Sequence, residues 1–274
     1  MNLVDRHNIK VIGERGPVIV LGHGFGCDQT MWKHVAPILA NNYRVVLYDL
    51  MGCGKSDISM YSYSKYNSLN SYAMDLLEVI DEINSNAPVV FVGHSVSANI
   101  GLLASIESPN KFHSQVMVSP SPCFINNGDY NGGFTRADIE ELCEAVESNF
   151  LKWSTSMAPI IMGAPEKPKL SAELGESFCR TEPEIAHHFA RVTFFADHRA
   201  DLPKCKIPTL ILQCTDDFIA PTSVGDYLKQ KLPKATLVKI KNVGHCPHMS
   251  APQACLGAID DFLKEYEFKH PAIL

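Results

Sequence analysis

The sequence predicts an α/β protein with a mostly parallel sheet covered by helices, interrupted once by a helical insertion. Two observations carry that reading. Short apolar, β-branched runs recur with helix-like stretches between them, and they are continuous rather than alternating, as suits strands buried on both faces. Between residues 123 and 202 this rhythm stops, and no good strand is legible.

The strand candidates, in order, are PVIVLG (17–22), YRVVLYD (43–49), PVVFVG (88–93), QVMVS (115–119), PTLILQC (208–214) and ATLVKI (235–240). Helical stretches fall at 66–84, 96–107 and 252–266; in the last, Cys255, Ile259, Phe262, Leu263 and Tyr266 recur at helical spacing. Strand–helix alternation implies right-handed crossovers. The insertion holds helical segments such as 136–150 and 183–195, punctuated by Gly132-Gly133, Pro159, Pro165 and Pro168. An all-helical stretch of that size between strands is no connecting loop. It predicts a lid over 123–202, on a core formed by 1–122 and 203–274. The lid is rich in Phe124, Phe134, Trp153, Met157, Phe178, Phe189, Phe194 and Phe195; most should pack helices onto the core, and the remainder should line a pocket.

Composition excludes several classes. With 24 Lys and Arg against 30 Asp and Glu, the net charge of −6 disfavours a nucleic-acid partner. Hydrophobic residues make up 46% and charged residues 20%, ample for one sizeable core. Apolar runs such as VIVL (18–21) fall far short of the roughly 18–20 residues that span a bilayer, so no membrane segment is expected. The opening MNLVDRHNIK has no apolar h-region, which predicts no signal peptide. Nine cysteines are scattered singly from Cys27 to Cys255 without a CxxC pair, as expected of a reduced, cytoplasmic setting. The run His245-Cys246-Pro247-His248 lacks a second ligand pair at zinc spacing, so no metal and no cofactor is expected.

Two apparent phosphate loops fail on spacing. Gly22-His23-Gly24-Phe25-Gly26 follows a strand, but a dinucleotide fingerprint needs Gly where Cys27 stands. Gly52-Cys53-Gly54-Lys55-Ser56 resembles the end of a P-loop, but Asp49 occupies the position of its first Gly.

Gly93-His94-Ser95-Val96-Ser97-Ala98 is the strongest signal. A strand runs into a small-residue turn, and a helix follows at once: a nucleophile elbow, which lifts the serine hydroxyl above the sheet. Ser97 stands where the motif usually has Gly, and it is still compact. A bare serine in a buried turn would be the plainer explanation, but the flanking strand and helix outweigh it. Serine needs a base and an orienting acid, and in this arrangement the order is Ser, acid, His. Asp216 and Asp217 follow one late strand, and His245 follows the next, with Gly244 giving its loop freedom. His94 and His248 compete for the base; His94, inside the elbow, should turn its ring away from Ser95. The oxyanion hole needs two backbone N–H groups, one from Val96 and one from Phe25 in the His23-Gly24-Phe25-Gly26 turn.

These motifs carry a family resemblance. GHGFGCDQTMW (22–32), RVVLYD (44–49), GHSVSA (93–98), SPSPCFINN (119–127), FFADHRADL (194–202), LQCTDDFIAP (212–221) and GHCPHMS (244–250) span nearly the whole chain. The chain resembles the α/β-hydrolases that include the bacterial stress sigma-factor regulator RsbQ and the plant karrikin and strigolactone receptors. The resemblance implies a triad of Ser95, Asp217 and His245, with Phe25 and Val96 as oxyanion donors. It also implies four lid helices over a hydrophobic pocket, for which Phe25, Phe124, Phe134, Trp153, Met157, Phe189, Phe194 and Ile219 are the expected lining. Slow hydrolysis of a small hydrophobic ester or lactone would serve signalling through a partner protein, a PAS-domain phosphatase acting in stress-response regulation if the bacterial branch is the model. A metabolic carboxylesterase or lactonase without a partner is the alternative. A dehalogenase is disfavoured, because that chemistry needs a carboxylate where Ser95 stands.

Overall fold

The computed structural model describes residues 2–83 and 87–268. Its strands are β1 Lys10–Ile12, β2 Val18–Gly22, β3 Arg44–Leu47, β4 Val89–His94, β5 Phe112–Val118, β6 Thr209–Asp216 and β7 Ala235–Val243. They form one sheet in the order β1-β3-β2-β4-β5-β6-β7, parallel except for β1, which pairs antiparallel with β3. The sheet is that of an α/β-hydrolase. β2 and β4 are buried at every residue, which is why their sequences read as unbroken apolar runs. β1 escapes a sequence reading because three partly exposed edge residues are too few to show a period.

Short helices α1 Leu3–Arg6 and α2 Ala36–Leu39 precede α3 Leu69–Glu82 and α4 Val96–Glu107. The stretch 66–84 is thus helical from Leu69 to Glu82, and its last residue, Asn84, lies outside the described residues. Between β5 and β6 stand α5 Arg136–Ser148, α6 Phe150–Met162, α7 Pro168–Phe178 and α8 Pro183–Phe194. α5 begins at a reciprocal cap between Thr135 and Asp138. The expected helix over 136–150 is interrupted: Asn149, at φ −161°, leaves helical geometry, and its side chain accepts the Lys152 N–H to start α6. After the sheet resumes come α9 Thr222–Lys231, α10 Pro247–Ser250 and α11 Pro252–Glu265. Of the expected core segments, Met1 and residues 84–86 and 269–274 lie outside the described residues.

The strand order positions the site. From β2 the chain goes to β3 on one side and then to β4 on the other. The loops after β2 and β4 therefore diverge at neighbouring strand ends, leaving a crevice where α/β sheets bind ligands.

Candidate active site

The turn between β4 and α4 holds Ser95 at φ 54°, ψ −115°, a region that non-glycine residues avoid. Its N–H donates to the Val118 carbonyl at 2.9 Å, which pins the strained residue to β5. Space explains the small neighbours: a Cβ on Gly93 would lie 2.5 Å from the Ser97 carbonyl oxygen. Ser97 does more than fit. Its hydroxyl donates to the His23 carbonyl at 2.5 Å, tying the elbow to the turn after β2.

The structure brings Ser95, His245 and Asp217 into one hydrogen-bonded chain. His245 Nε2 lies 2.9 Å from Ser95 Oγ, and its Nδ1 lies 2.8 Å from Asp217 Oδ2. The second Asp217 oxygen accepts the Ile219 and Ala220 N–H groups at 2.9 and 3.1 Å, so the carboxylate is held as an acceptor. Nδ1 then carries the proton, and Nε2 is free to accept the serine hydroxyl. Asp216 is exposed, and its carbonyl accepts the Gly244 N–H at 2.8 Å.

His94 and His248 play other parts. His94 borders the cavity beside Ser95, and its ring packs 5.1 Å from that of His245. Its Nε2–H donates to the His245 carbonyl at 2.8 Å. Burial, with His248 and His245 close by, holds His94 well below the ordinary histidine pKa, so it stays neutral. His248 sits between the tilted rings of Trp32 and His94, each 4.5 Å away, and neither of its nitrogens finds a partner among the described residues. Burial first, then His245 and His34, push its pKa down to about 3.

The turn after β2 faces the elbow. Cys27 N–H donates to the Gly24 carbonyl at 3.2 Å, with Phe25 and Gly26 between them. His23 stiffens it: Nδ1–H donates to the Gly24 carbonyl at 2.9 Å, while Nε2 accepts the Leu50 N–H at 2.9 Å. Among the described residues, neither the Phe25 N–H nor the Val96 N–H has an acceptor, so both remain available to an incoming oxyanion. The loop at Gly52–Ser56, which resembles a P-loop end, is filled by the protein itself. Asp49 accepts the Lys55 N–H at 2.9 Å, and a Cβ on Gly54 would lie 2.6 Å from the same carboxylate.

Under the lid lies a narrow cavity of about 40 Å³, lined by Phe25, Trp153, Met157, Phe194 and Ile219 together with Ser95 and His245. Three of the expected lining residues are elsewhere. Phe124 packs behind Phe194, Phe189 is wedged between Phe25 and Tyr72, and Phe134 lies beside the exposed Phe218. Their rings pack against neighbouring aromatic rings rather than forming the cavity wall. Leu142, Ile161, Leu174 and Phe178 line it instead. Of these, Ile161 was within reach of the sequence, since Trp153, Met157 and Ile161 recur four residues apart on one face of α6.

The lid is fastened to the turn after β2. Asp28, at the end of that turn, receives Arg180 Nε at 2.6 Å and donates its own N–H to Ser177 Oγ at 3.1 Å. Burial would raise the Asp28 pKa, but hydrogen bonds from Thr30 and Arg180 outweigh it and hold the carboxyl below the usual range.

Sheet, elbow and lid together define a class, and the chain belongs to the alpha/beta hydrolase family, whose signature matches residues 19–258. Within that family it is 41% identical to a probable esterase of Oryza sativa subsp. japonica, over 92% of this chain and 94% of that protein. It is 36% identical to karrikin insensitive 2 receptor CA of Petunia hybrida, over 93% and 95% of the two chains. Among solved structures it is similar to a hydrolase from Oleispira antarctica, with TM-score 0.92 and 38% identity over 96% of each chain.

Proposed function

We propose that this chain hydrolyses small hydrophobic esters or lactones through Ser95 and that occupancy of its cavity is read by a partner protein. The carrying observation is the chain Asp217–His245–Ser95, at 2.8 and 2.9 Å, opening into an apolar cavity roofed by a lid. Ser95 Oγ attacks the carbonyl carbon while His245 Nε2 takes its proton, and Asp217 stabilises the resulting imidazolium. The Phe25 and Val96 N–H groups receive the oxyanion. Collapse of the tetrahedral intermediate expels the alkoxide, which takes the proton from His245; from a lactone it stays tethered to the acyl group. Water, deprotonated by His245, then releases the acid and restores Ser95.

The lining offers few charged groups, which suits an apolar ligand over a polar metabolite. A lid that must open limits turnover and gives the surface a shape that depends on occupancy. The names of the Oryza esterase and the Petunia receptor support the hydrolytic and sensing halves respectively. The partner class implied by the sequence resemblance is a PAS-domain phosphatase, in a cytoplasmic setting. All nine cysteines are free, and no helix among the described residues is long and apolar enough to cross a membrane.

The test screens esters and lactones for turnover and, in parallel, for ligand-dependent co-purification of a partner. Slow turnover with ligand-dependent association supports the proposal. A kcat/KM of about 10⁴–10⁸ M⁻¹s⁻¹ on a metabolite, with no partner, would establish the metabolic esterase instead.

A further inference from the structure

Helix α6 does two things at once. Trp153, Met157 and Ile161 on one of its faces line the cavity. Its last turn also rests on the loop that carries His245. The Ile161 carbonyl accepts the His245 N–H at 2.7 Å. Just past the helix end, Gly163 sits at φ +61° against Gly244: a Cβ on Gly163 would lie 2.7 Å from Gly244 Cα, and one on Gly244 would collide with the Met162 carbonyl oxygen. Two glycines are required here because two backbones touch. On the opposite side, His94 Nε2 holds the His245 carbonyl at 2.8 Å. The base therefore hangs by its backbone between a lid contact and an elbow contact.

We infer that the C-terminal end of α6 positions His245, with Gly163 as the positioning residue, so that the seating of the lid helix over its ligand sets the reach of the imidazole to Ser95. This rests on the reading of Ser95 and His245 as nucleophile and base. A ligand filling the space beneath Trp153, Met157 and Ile161 presses on the same helix that holds the base. Ligand shape is then transmitted to the reacting atoms through one hydrogen bond and one glycine pair. A displacement of about 1 Å at such a site costs on the order of 100-fold in rate.

The test compares Gly163→Ala with Gly128→Ala. Gly128 has the same left-handed backbone, φ +58°, with nothing within 4 Å of its Cβ position, so its alanine variant carries the strain without the collision. The probe is a fluorophosphonate, whose reaction at Ser95 requires His245 to take the serine proton, followed by intact-mass spectrometry across probe concentrations. Gly163→Ala is expected to lower the labelling rate at saturating probe roughly 10–100-fold while leaving the half-saturating probe concentration unchanged. Gly128→Ala should match wild type in both. Equal labelling rates in the two variants, in a protein whose wild type is labelled, would overturn the positioning role alone. A wild type unlabelled at Ser95 would overturn the nucleophile reading and this inference together. If Gly163→Ala does not fold, Gly163→Asn presents the same Cβ with a side chain that tolerates this backbone, against Gly128→Asn.

Discussion

Mild acid should weaken this fold through the histidines packed behind the candidate triad. His248 has its pKa pushed to about 3 by burial, then by His245 and His34, while an unfolded chain titrates near 6.5. Between those values the unfolded state binds the proton and the folded state does not. Stability therefore rises with pH across the window and falls as the solution is acidified from about 6.5 towards 3. At about 1.4 kcal/mol per pH unit, His248 alone removes roughly 2 kcal/mol between pH 7 and pH 5. For a chain of this length that corresponds to a fall in Tm of about 4 °C. Replacing His248 by Phe keeps an aromatic ring against Trp32 and removes the titration. Thermal unfolding followed at both pH values should show the pH-induced drop shrinking by about 4 °C in the variant, whatever its baseline stability. His94, also depressed, keeps contributing in both proteins. A drop of equal size in wild type and variant would refute the burial argument for His248.

Asp217→Asn should lower kcat for an activated ester by about 10⁴-fold, because Oδ2 accepts from His245 Nδ1, while Asp216→Asn should stay near wild type; reversed penalties would misassign the acid. Arg180→Gln should cost about 1 kcal/mol of stability in denaturant unfolding, less than a fully buried pair would, because Arg180 is partly exposed. Since Asp28 is depressed in the folded state, that contribution should be present at neutral pH and vanish as pH falls through its folded pKa, so wild type and Arg180→Gln should converge in acid. His94→Phe should reduce kcat by removing the donor to the His245 carbonyl, and His94→Gln should restore most of it; identical rates in both would show that this hydrogen bond does not matter.

What the sequence disclosed was local. The elbow is legible because strand, small residues and helix are contiguous, and β2 and β4 are legible because burial on both faces removes polar residues from their runs. From the residues alone the acid was legible as a pair, and the family resemblance singled out Asp217: adjacent residues on a strand end point apart, and which one meets His245 depends on how β6 and β7 lie together. Cavity lining was the least legible. Phe124 and Phe189 are as aromatic as Phe25 and Phe194, and only tertiary packing puts the first two behind the second. The α5–α6 break was signalled by Asn149, a capping residue inside an apparent helix. The support of His245 by Ile161 left no mark in the sequence, because a backbone carbonyl carries it.

The central claim is that Ser95 is the nucleophile, and the most direct test is hydrolysis of an activated short-chain ester such as 4-nitrophenyl acetate by Ser95→Ala, with its thermal unfolding measured alongside. Losing a triad serine removes several orders of magnitude in kcat, so turnover should fall to the background left by the oxyanion donors. The fold should persist, since Ala is smaller than Ser and the Ser95 N–H to Val118 bond remains. Near-normal turnover by a folded Ser95→Ala protein would contradict the account.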